Sequence, residues 1–103
     1  MEKVREQLKI LSKRHSLQII SMLLGGPRNI TKISVELGVP YTTTLQRVAE
    51  LEWADLVEVE PSIDEASKRA VRLVRLVNFR IELSPRSIQA IVKGGDERVL
   101  RMV

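Results

Sequence analysis

The sequence predicts a mainly α-helical α+β fold of about five helices and one two-stranded β-hairpin. Two observations predict it. Apolar residues recur at helical spacing in four segments before residue 54 and in one after residue 84, and between residues 56 and 83 they alternate with polar residues at the period of a strand. With 103 residues, 44% of them hydrophobic and 29% charged, the chain is expected to form one domain around one core.

Two helices are predicted at the N-terminal end. Val4, Leu8 and Leu11 recur at i, i+4 and i+7 and define an amphipathic first helix. Ser12 is expected to cap a second helix over residues 13–24, which the Gly-Gly-Pro sequence at 25–27 should end. That helix is predicted to be central in the core, because its apolar arc is wider than one stripe. The arc comprises Leu17, Ile19, Ile20, Leu23 and Leu24.

A helix-turn-helix is predicted over residues 31–53. Thr31 can cap a short third helix with Ile33 and Leu37 inward, and Gly38 supplies the positive φ of a sharp turn. A fourth helix then begins at Pro40. Its inward face should carry Thr44, Val48 and Leu51, and its outward face Thr42, Thr43, Gln46, Arg47 and Glu50.

A hairpin is predicted over residues 56–83. Apolar and acidic residues alternate from Val57 to Glu60, residues 61–69 are polar and turn-like, and a longer run continues to Leu83. Val74 and Leu76 interrupt the alternation of that run, which indicates a bulge or two partly covered faces. The expected apolar phase comprises Val71, Leu73, Val77, Phe79, Ile81 and Leu83. A hairpin directly after a helix-turn-helix is the wing of a winged helix-turn-helix fold.

A fifth helix over about residues 84–94 is predicted to form a dimer interface together with the first. Ser84 and Pro85 are an N-cap and first-turn signature. Helix two cannot cover the apolar stripes of both helices, so a second copy of the chain is expected to cover them. The interface set comprises Val4, Leu8, Leu11, Ile88, Ile91 and Val92. The tail at 96–103 either frays or docks on that second copy.

Polar side chains of the helix-turn-helix and the wing predict contacts with double-stranded DNA. An outward-facing Arg47 can pair with guanine and Gln46 with adenine in the major groove, while the wing can reach phosphates or the minor groove. The recognition-helix set comprises Tyr41, Thr42, Thr43, Gln46 and Arg47. The wing set comprises Lys68, Arg69 and Arg72. Further phosphate contacts are expected from Lys13, Arg14, Arg28, Thr31 and Lys32. In a two-fold dimer the recognition helices would lie about 34 Å apart and match a pseudo-palindromic site.

Charge leaves two other binding functions open. The net charge of +4 favours a polyanionic partner without deciding the matter. Seven acids and no base lie between Glu50 and Glu65, which would suit a protein-interaction module of a transcription or replication assembly. A weakly specific chromatin-like DNA binder is the other alternative. The acids Glu58 and Glu60 could instead pair across the hairpin with basic residues, namely Arg72, Arg75 or Arg80.

Several classes of protein are disfavoured. The chain has no cysteine and one histidine, His15, so disulfides, thiol chemistry and a catalytic triad are not expected. Without a glycine-rich phosphate loop or a carboxylate pair in an identifiable apolar pocket, neither an enzyme nor a cofactor is predicted. Trp53 is read as a core or interface anchor. No apolar run approaches the roughly 20 residues of a membrane span, and no signal peptide is recognised, so a cytoplasmic protein is expected.

Two segments carry a resemblance to a known family. Residues 8–24, LKILSKRHSLQIISMLL, resemble the opening helices of ArsR-type winged-helix regulators, and residues 30–57 are similar to the family's helix-turn-helix run without a gap. The resemblance covers about residues 4–90 and implies a dimeric DNA-binding regulator. Departures occur at Pro40, Thr44, Leu45 and Asp55. Family members that sense metals use paired cysteines or a carboxylate and histidine cluster, and both are missing here, which implies no metal sensing.

Overall fold

The computed structural model describes residues 2–94, and the prediction for the tail at 96–103 lies outside them. The described residues form five helices: α1 (Glu2–Leu11), α2 (Ser16–Leu23), α3 (Ile30–Leu37), α4 (Tyr41–Trp53) and α5 (Pro85–Gly94). They also form three strands: β1 (Arg28–Asn29), β2 (Val57–Ile63) and β3 (Ala70–Leu76). The strands make one antiparallel sheet in the order β1-β3-β2. The predicted fold is confirmed, with the short strand β1 added to the wing.

One apolar core joins the first four helices to the sheet. Its members are buried and include Ile10, Ile19, Leu23, Ile30, Ile33, Val48, Leu51, Ala54, Leu56, Val57 and Val74. The central position predicted for α2 is only half right. Ile19 and Leu23 are buried, but Leu17 and Leu24 are 63% and 81% exposed. An eight-residue helix that packs one face against the core cannot bury so wide an arc, and the rest of the arc faces outward.

Two predicted helix caps were wrong. The hydroxyl of Ser12 donates to the carbonyl of Lys9 at 2.7 Å, and α2 begins only at Ser16, after His15 in a left-handed conformation. Helix α3 begins at Ile30, where the Asn29 side chain accepts a hydrogen bond from the Lys32 backbone N–H at 2.8 Å. Asn29 therefore caps α3, since an N-cap oxygen reaches the backbone two or three residues ahead. Thr31 lies inside the helix.

The turn between α3 and α4 matches its prediction. Gly38 has φ of 70°, and its N–H donates to the carbonyl of Ser34 at 2.9 Å, as in a helix end closed by a left-handed residue. Pro40 is the N-cap of α4. The three residues predicted to face inward are buried, namely Thr44, Val48 and Leu51. This packing directs the opposite side of α4 away from the core.

The hairpin is longer at its tip and shorter at its base than predicted. Strand β2 continues through Pro61 to Ile63, which an edge strand tolerates, and pairs with β3 without a bulge from Val57 opposite Leu76 to Ile63 opposite Ala70. Val74 is fully buried and pairs directly with Val59, so it points to the same side of the sheet as Val59 and Val57. The core-facing residues of β3 are therefore Val74 and Leu76, and not the apolar phase that the sequence predicts. Residues 77–83 lie outside the strands.

Helix α5 begins at the predicted cap. The hydroxyl of Ser84 accepts from the Ser87 N–H at 3.0 Å, and the hydroxyl of Ser87 accepts from the Ser84 N–H at 2.8 Å. The helix packs against α1. Ile91 is buried, whereas Ile88 and Val92 remain 49% and 55% exposed. None of the helices described is long and apolar enough to cross a membrane.

Candidate nucleic-acid interface

The outward face of α4 is an exposed polar surface. Thr42, Thr43 and Gln46 are exposed, and Tyr41 at the first turn is 43% exposed. The buried residues on the other side of α4 hold the helix against the core, so this face is presented to solvent by packing. Hydroxyl and amide groups of this kind can hydrogen-bond phosphates or the edges of bases. These four members of the recognition-helix set lie where the sequence predicts them.

Arg47 departs from the prediction. Its Nε donates to the carbonyl of Arg14 at 2.9 Å, and its guanidinium also pairs with the carboxylate of Glu50. Only 17% of its side chain is exposed. The geometry corrects the expected outward position: Arg47 is occupied by partners inside the protein and is not presented to a groove.

The wing ends in a tight turn that presents two basic side chains. The N–H of Asp64 donates to the carbonyl of Arg69 at 2.9 Å, and the N–H of Lys68 donates to the carbonyl of Asp64 at 2.7 Å. Lys68 has φ of 60°. Lys68 and Arg69 are exposed, and among residues 2–94 the Lys68 ammonium has one ionic contact, with Glu65 at 3.3 Å. The two cations thus project from the tip, as predicted.

Asp64 orders this turn through its carboxylate. Its Oδ2 accepts the backbone N–H of Ser67 at 3.0 Å. Hydrogen bonds from the Ser67 side chain and backbone lower the pKa of Asp64 below its ordinary value, and the nearby charge of Lys32 adds a smaller effect in the same direction. The turn is therefore held by an ionised carboxylate at neutral pH.

A cleft separates the wing from the helix-turn-helix. It encloses about 470 Å³ and is lined on one side by Thr31, Lys32 and Tyr41, and on the other by Ser67 and Arg69. Residues from the recognition-helix, wing and phosphate sets therefore lie around one concave surface. Lys32 and Arg69 give the lining two cations against the single carboxylate of Asp64, and a surface with a cation on each side suits a phosphate backbone.

The rest of the phosphate set divides in two. Three of its members are exposed to solvent, namely Arg14, Thr31 and Lys32. Lys13 instead donates to Glu50 at 2.5 Å, and Arg28 pairs with Glu36 while its Nε donates to the carbonyl of Met22 at 3.3 Å. Lys13 and Arg28 are thus paired with groups of the protein itself. The structure does not present them as free cations for DNA, contrary to the prediction.

The acidic stretch at 50–65 is largely neutralised by neighbouring bases. Glu60 pairs with Arg75 at 2.5 Å across the hairpin, and Asp55 pairs with Lys3 at 3.1 Å. Arg75 therefore makes the cross-hairpin ion pair that the sequence allowed for it, while Arg72 is exposed opposite Pro61. The remaining pairs are those of Glu50 with Lys13 and Arg47, and of Glu65 with Lys68.

Trp53 is not a core residue. It is 64% exposed at the end of α4, and the ammonium of Lys3 lies 5.2 Å from the centre of its ring. The reading of Trp53 as a core anchor was therefore wrong, and its possible place in an interface stays a prediction. Within residues 2–94, no three His, Cys, Asp or Glu side chains are grouped so that they could hold a metal ion.

Sequence reasoning missed Glu50 as the partner of both Arg47 and Lys13. One signal was present, because Arg47 and Glu50 are three residues apart on a helix and so are neighbours on its surface. The second partner, Lys13, lies 37 residues away, and no local pattern reports that contact. Asn29 was missed because Thr31, two residues later, is also a cap-type residue and was taken as the start of the helix.

The fold and the position of the candidate site define a winged helix-turn-helix, the fold of many transcriptional regulators. Solved structures support this class. HlyU from Vibrio cholerae matches with a TM-score of 0.62 and 21% identity over 89% of each chain. A transcriptional regulator homologue from Pyrococcus horikoshii matches with a TM-score of 0.61 and 25% identity over 93% of this chain and 99% of that one.

A third similar structure is described as a possible transcriptional regulator for arsenical resistance. It matches with a TM-score of 0.56 and 17% identity over 94% of this chain and 92% of that one. Neither a protein-family model nor a curated protein matches the sequence. The winged-helix fold that the sequence resemblance implies is confirmed by these structures.

Proposed function

We propose that this protein is a transcriptional regulator that binds double-stranded DNA, with the outward face of α4 in the major groove and the wing tip on the adjoining backbone. The observation that carries the proposal is the shared concave surface between Tyr41 of α4 and Arg69 of the wing. A helix fits the major groove, and cations beside it reach phosphates. Thr42, Thr43 and Gln46 are the base-facing candidates, and Lys32, Lys68 and Arg69 the phosphate-facing ones.

We also propose that the protein acts as a homodimer on a pseudo-palindromic site. Ile88 and Val92 of α5 stay about half exposed although α5 packs on α1, and Leu83, two residues before α5, is 57% exposed. A two-fold pairing through α1 and α5 would cover these residues and double the DNA contact. Regulation without metal sensing belongs to the same proposal.

Salt dependence tests the DNA binding. Affinity for a pool of random duplexes, and for duplexes selected from it, is measured from low to physiological salt. A protein that neutralises phosphates loses affinity steeply as salt rises, with a slope of about −0.9 per phosphate contact. Affinity that is absent or indifferent to salt would overturn the proposal. A steep slope without preference among duplexes would favour the weakly specific chromatin-like binder.

Two sets of variants assign the contacts. Gln46→Ala should reduce the preference for the selected duplex by roughly tenfold, whereas Gln18→Ala, an exposed glutamine on α2, should leave it unchanged. Lys68→Ala with Arg69→Ala should make the dependence of affinity on salt less steep by about 2 in slope, since each lost phosphate contact removes about 0.9. The control for charge is Arg80→Ala with Arg86→Ala, which removes two exposed cations away from the cleft.

The protein-interaction alternative has less support. It rests on a surface of free acids at 50–65, and four of those acids are engaged by bases: Glu50, Asp55, Glu60 and Glu65. If reversing Glu58 and Glu60 abolished activity while Gln46→Ala left it intact, that alternative would replace DNA binding.

A further inference from the structure

Two side chains near the middle of α4 tie the helix to the corner between α1 and α2. Arg47 donates through Nε to the carbonyl of Arg14 at 2.9 Å and pairs through its guanidinium with Glu50. Glu50 in turn accepts from Lys13 at 2.5 Å. The exposed fractions of the three side chains are 17% for Arg47, 26% for Glu50 and 37% for Lys13. Partial burial of this kind makes an ion pair more effective than one on the open surface.

The corner to which α4 is tied is itself well fixed. Ser16 is fully buried, and its hydroxyl donates to the carbonyl of Ile10 at 2.6 Å. The N–H of Lys13 donates to the same carbonyl at 3.0 Å, and His15 takes a left-handed conformation with φ of 75°. Because the corner is hydrogen-bonded to the end of α1, a side chain of α4 held there restricts the rotation of α4 about its axis.

We infer that Arg47 is a positioning residue, acting with Glu50 and Lys13 to hold the recognition helix in the orientation that DNA binding needs, and not a base-reading residue. The inference rests on the proposed DNA binding. To reach a base, Arg47 would have to leave a carbonyl and a carboxylate that are partly screened from water, and unpaired groups there cost free energy. Thr43 and Gln46, its neighbours on α4, depend on the orientation of the helix for their own contacts.

Substitution of Glu50 separates the two roles. Removing a negative charge from a DNA-binding surface ordinarily strengthens binding, because repulsion from phosphates falls. The positioning role predicts the opposite for Glu50→Gln, roughly a three- to tenfold loss of affinity, because Arg47 and Lys13 lose their shared partner. Glu52→Gln is the matched control: it removes the same charge from an exposed position on α4. It should leave affinity unchanged or raise it.

Arg47→Met and the double variant, Arg47→Met with Glu50→Gln, complete a double-mutant cycle. Methionine keeps the apolar stem and removes every donor, so Arg47→Met should lower affinity about as much as Glu50→Gln, and the double variant should be little worse than either. Re-selection of duplexes with each variant should return the same base preference as the original protein. All affinities are measured at a temperature where circular dichroism shows each variant to be fully folded.

Three results would overturn the inference. One is a changed preference at a defined base pair for Arg47→Met, with Glu50→Gln binding as well as the original protein. Another is additive losses in the double variant. The third is unaltered affinity in both folded single variants, which would limit the network to fold stability. Failure of the original protein to bind any duplex would instead refute the proposed function. The coupling between Arg47 and Glu50 would then be tested alone, by measuring the free energy of unfolding of the same three variants.

Discussion

Lys68 takes a left-handed backbone conformation at the tip of the wing, with φ of 60°. A side chain with a Cβ is strained there, and glycine is not. The pair that Lys68 makes with Glu65 is widely exposed and contributes little to stability. Backbone strain at this residue is therefore larger than any gain from the ion pair.

We expect Lys68→Gly to raise the free energy of unfolding by about 0.5 kcal/mol, because relief of the strain is partly offset by the greater freedom of glycine in the unfolded chain. Chemical denaturation measures the change. Lys68→Ala is the control, because it removes the same charge and keeps the Cβ. Equal stabilisation by alanine would show that strain is not the cause.

Asn29 is the second residue whose part in the fold was not predicted. Its buried side chain caps α3, so Asn29→Ala should lower the free energy of unfolding by about 1 kcal/mol. Thr31→Ala, at the position first expected to be the cap, should change it by less than about 0.5 kcal/mol. Thermal unfolding of the two variants compares them directly. A loss as large for Thr31→Ala would contradict the assignment of the cap.

For single residues, the sequence predicted which apolar side chains are buried, but not which groups the polar side chains contact. Val48 and Leu51 were placed correctly because burial follows the helical period. Arg47 lies on the polar side of the same helix, where periodicity separates polar from apolar and does not distinguish a solvated arginine from one that pairs internally. The carbonyl of Arg14, 33 residues earlier, decides its position.

The wing is the element in which charge and conformation act together. The Asp64 carboxylate accepts a hydrogen bond at one end of the turn, and Lys68 and Arg69 project from the other. Since the pKa of Asp64 is lower in the folded protein than in the unfolded chain, its stabilising effect is present above the unfolded value of about 4. It is lost as the pH falls through the folded value.

We therefore expect the wing turn to be insensitive to pH between 8 and 5 and to loosen only in acid, below about pH 4. The NMR shift of the Ser67 N–H, followed from neutral pH to pH 2, reports the titration. Asp64→Asn provides the control, because its amide does not titrate in this range. A transition of the Ser67 signal at or above pH 4 in the original protein would contradict the lowered pKa.

The boundaries of the wing show why strand prediction fell short. Val74 and Leu76 were taken as interruptions, yet they face the core together with Val57 and Val59. Both faces of β3 carry apolar residues, so alternation alone could not identify the core-facing phase. Pro61 suggested a turn because it lacks an N–H, but β2 is an edge strand and its outer side needs no hydrogen bond.

In the single chain, helix α5 leaves apolar side chains exposed to solvent, among them Ile88 and Val92. Ile88→Glu should convert a dimer into a monomer and lower affinity for a two-half-site duplex by at least roughly tenfold, because each copy would bind one half-site alone. Light scattering after gel filtration measures the mass. Leu24→Glu, at an exposed leucine of α2, should remain dimeric. A monomeric original protein, or a dimeric Ile88→Glu, would refute the proposed interface.

The most direct test of DNA binding through α4 and the wing is an NMR titration with a duplex selected for affinity. Backbone amide shifts are expected to concentrate at Thr42, Thr43 and Gln46 and at Lys68 and Arg69, with smaller changes around Lys32. Shifts confined to Glu58 and Glu60, or to the α1 and α5 surfaces, or no shifts at saturating duplex, would contradict DNA binding through α4 and the wing.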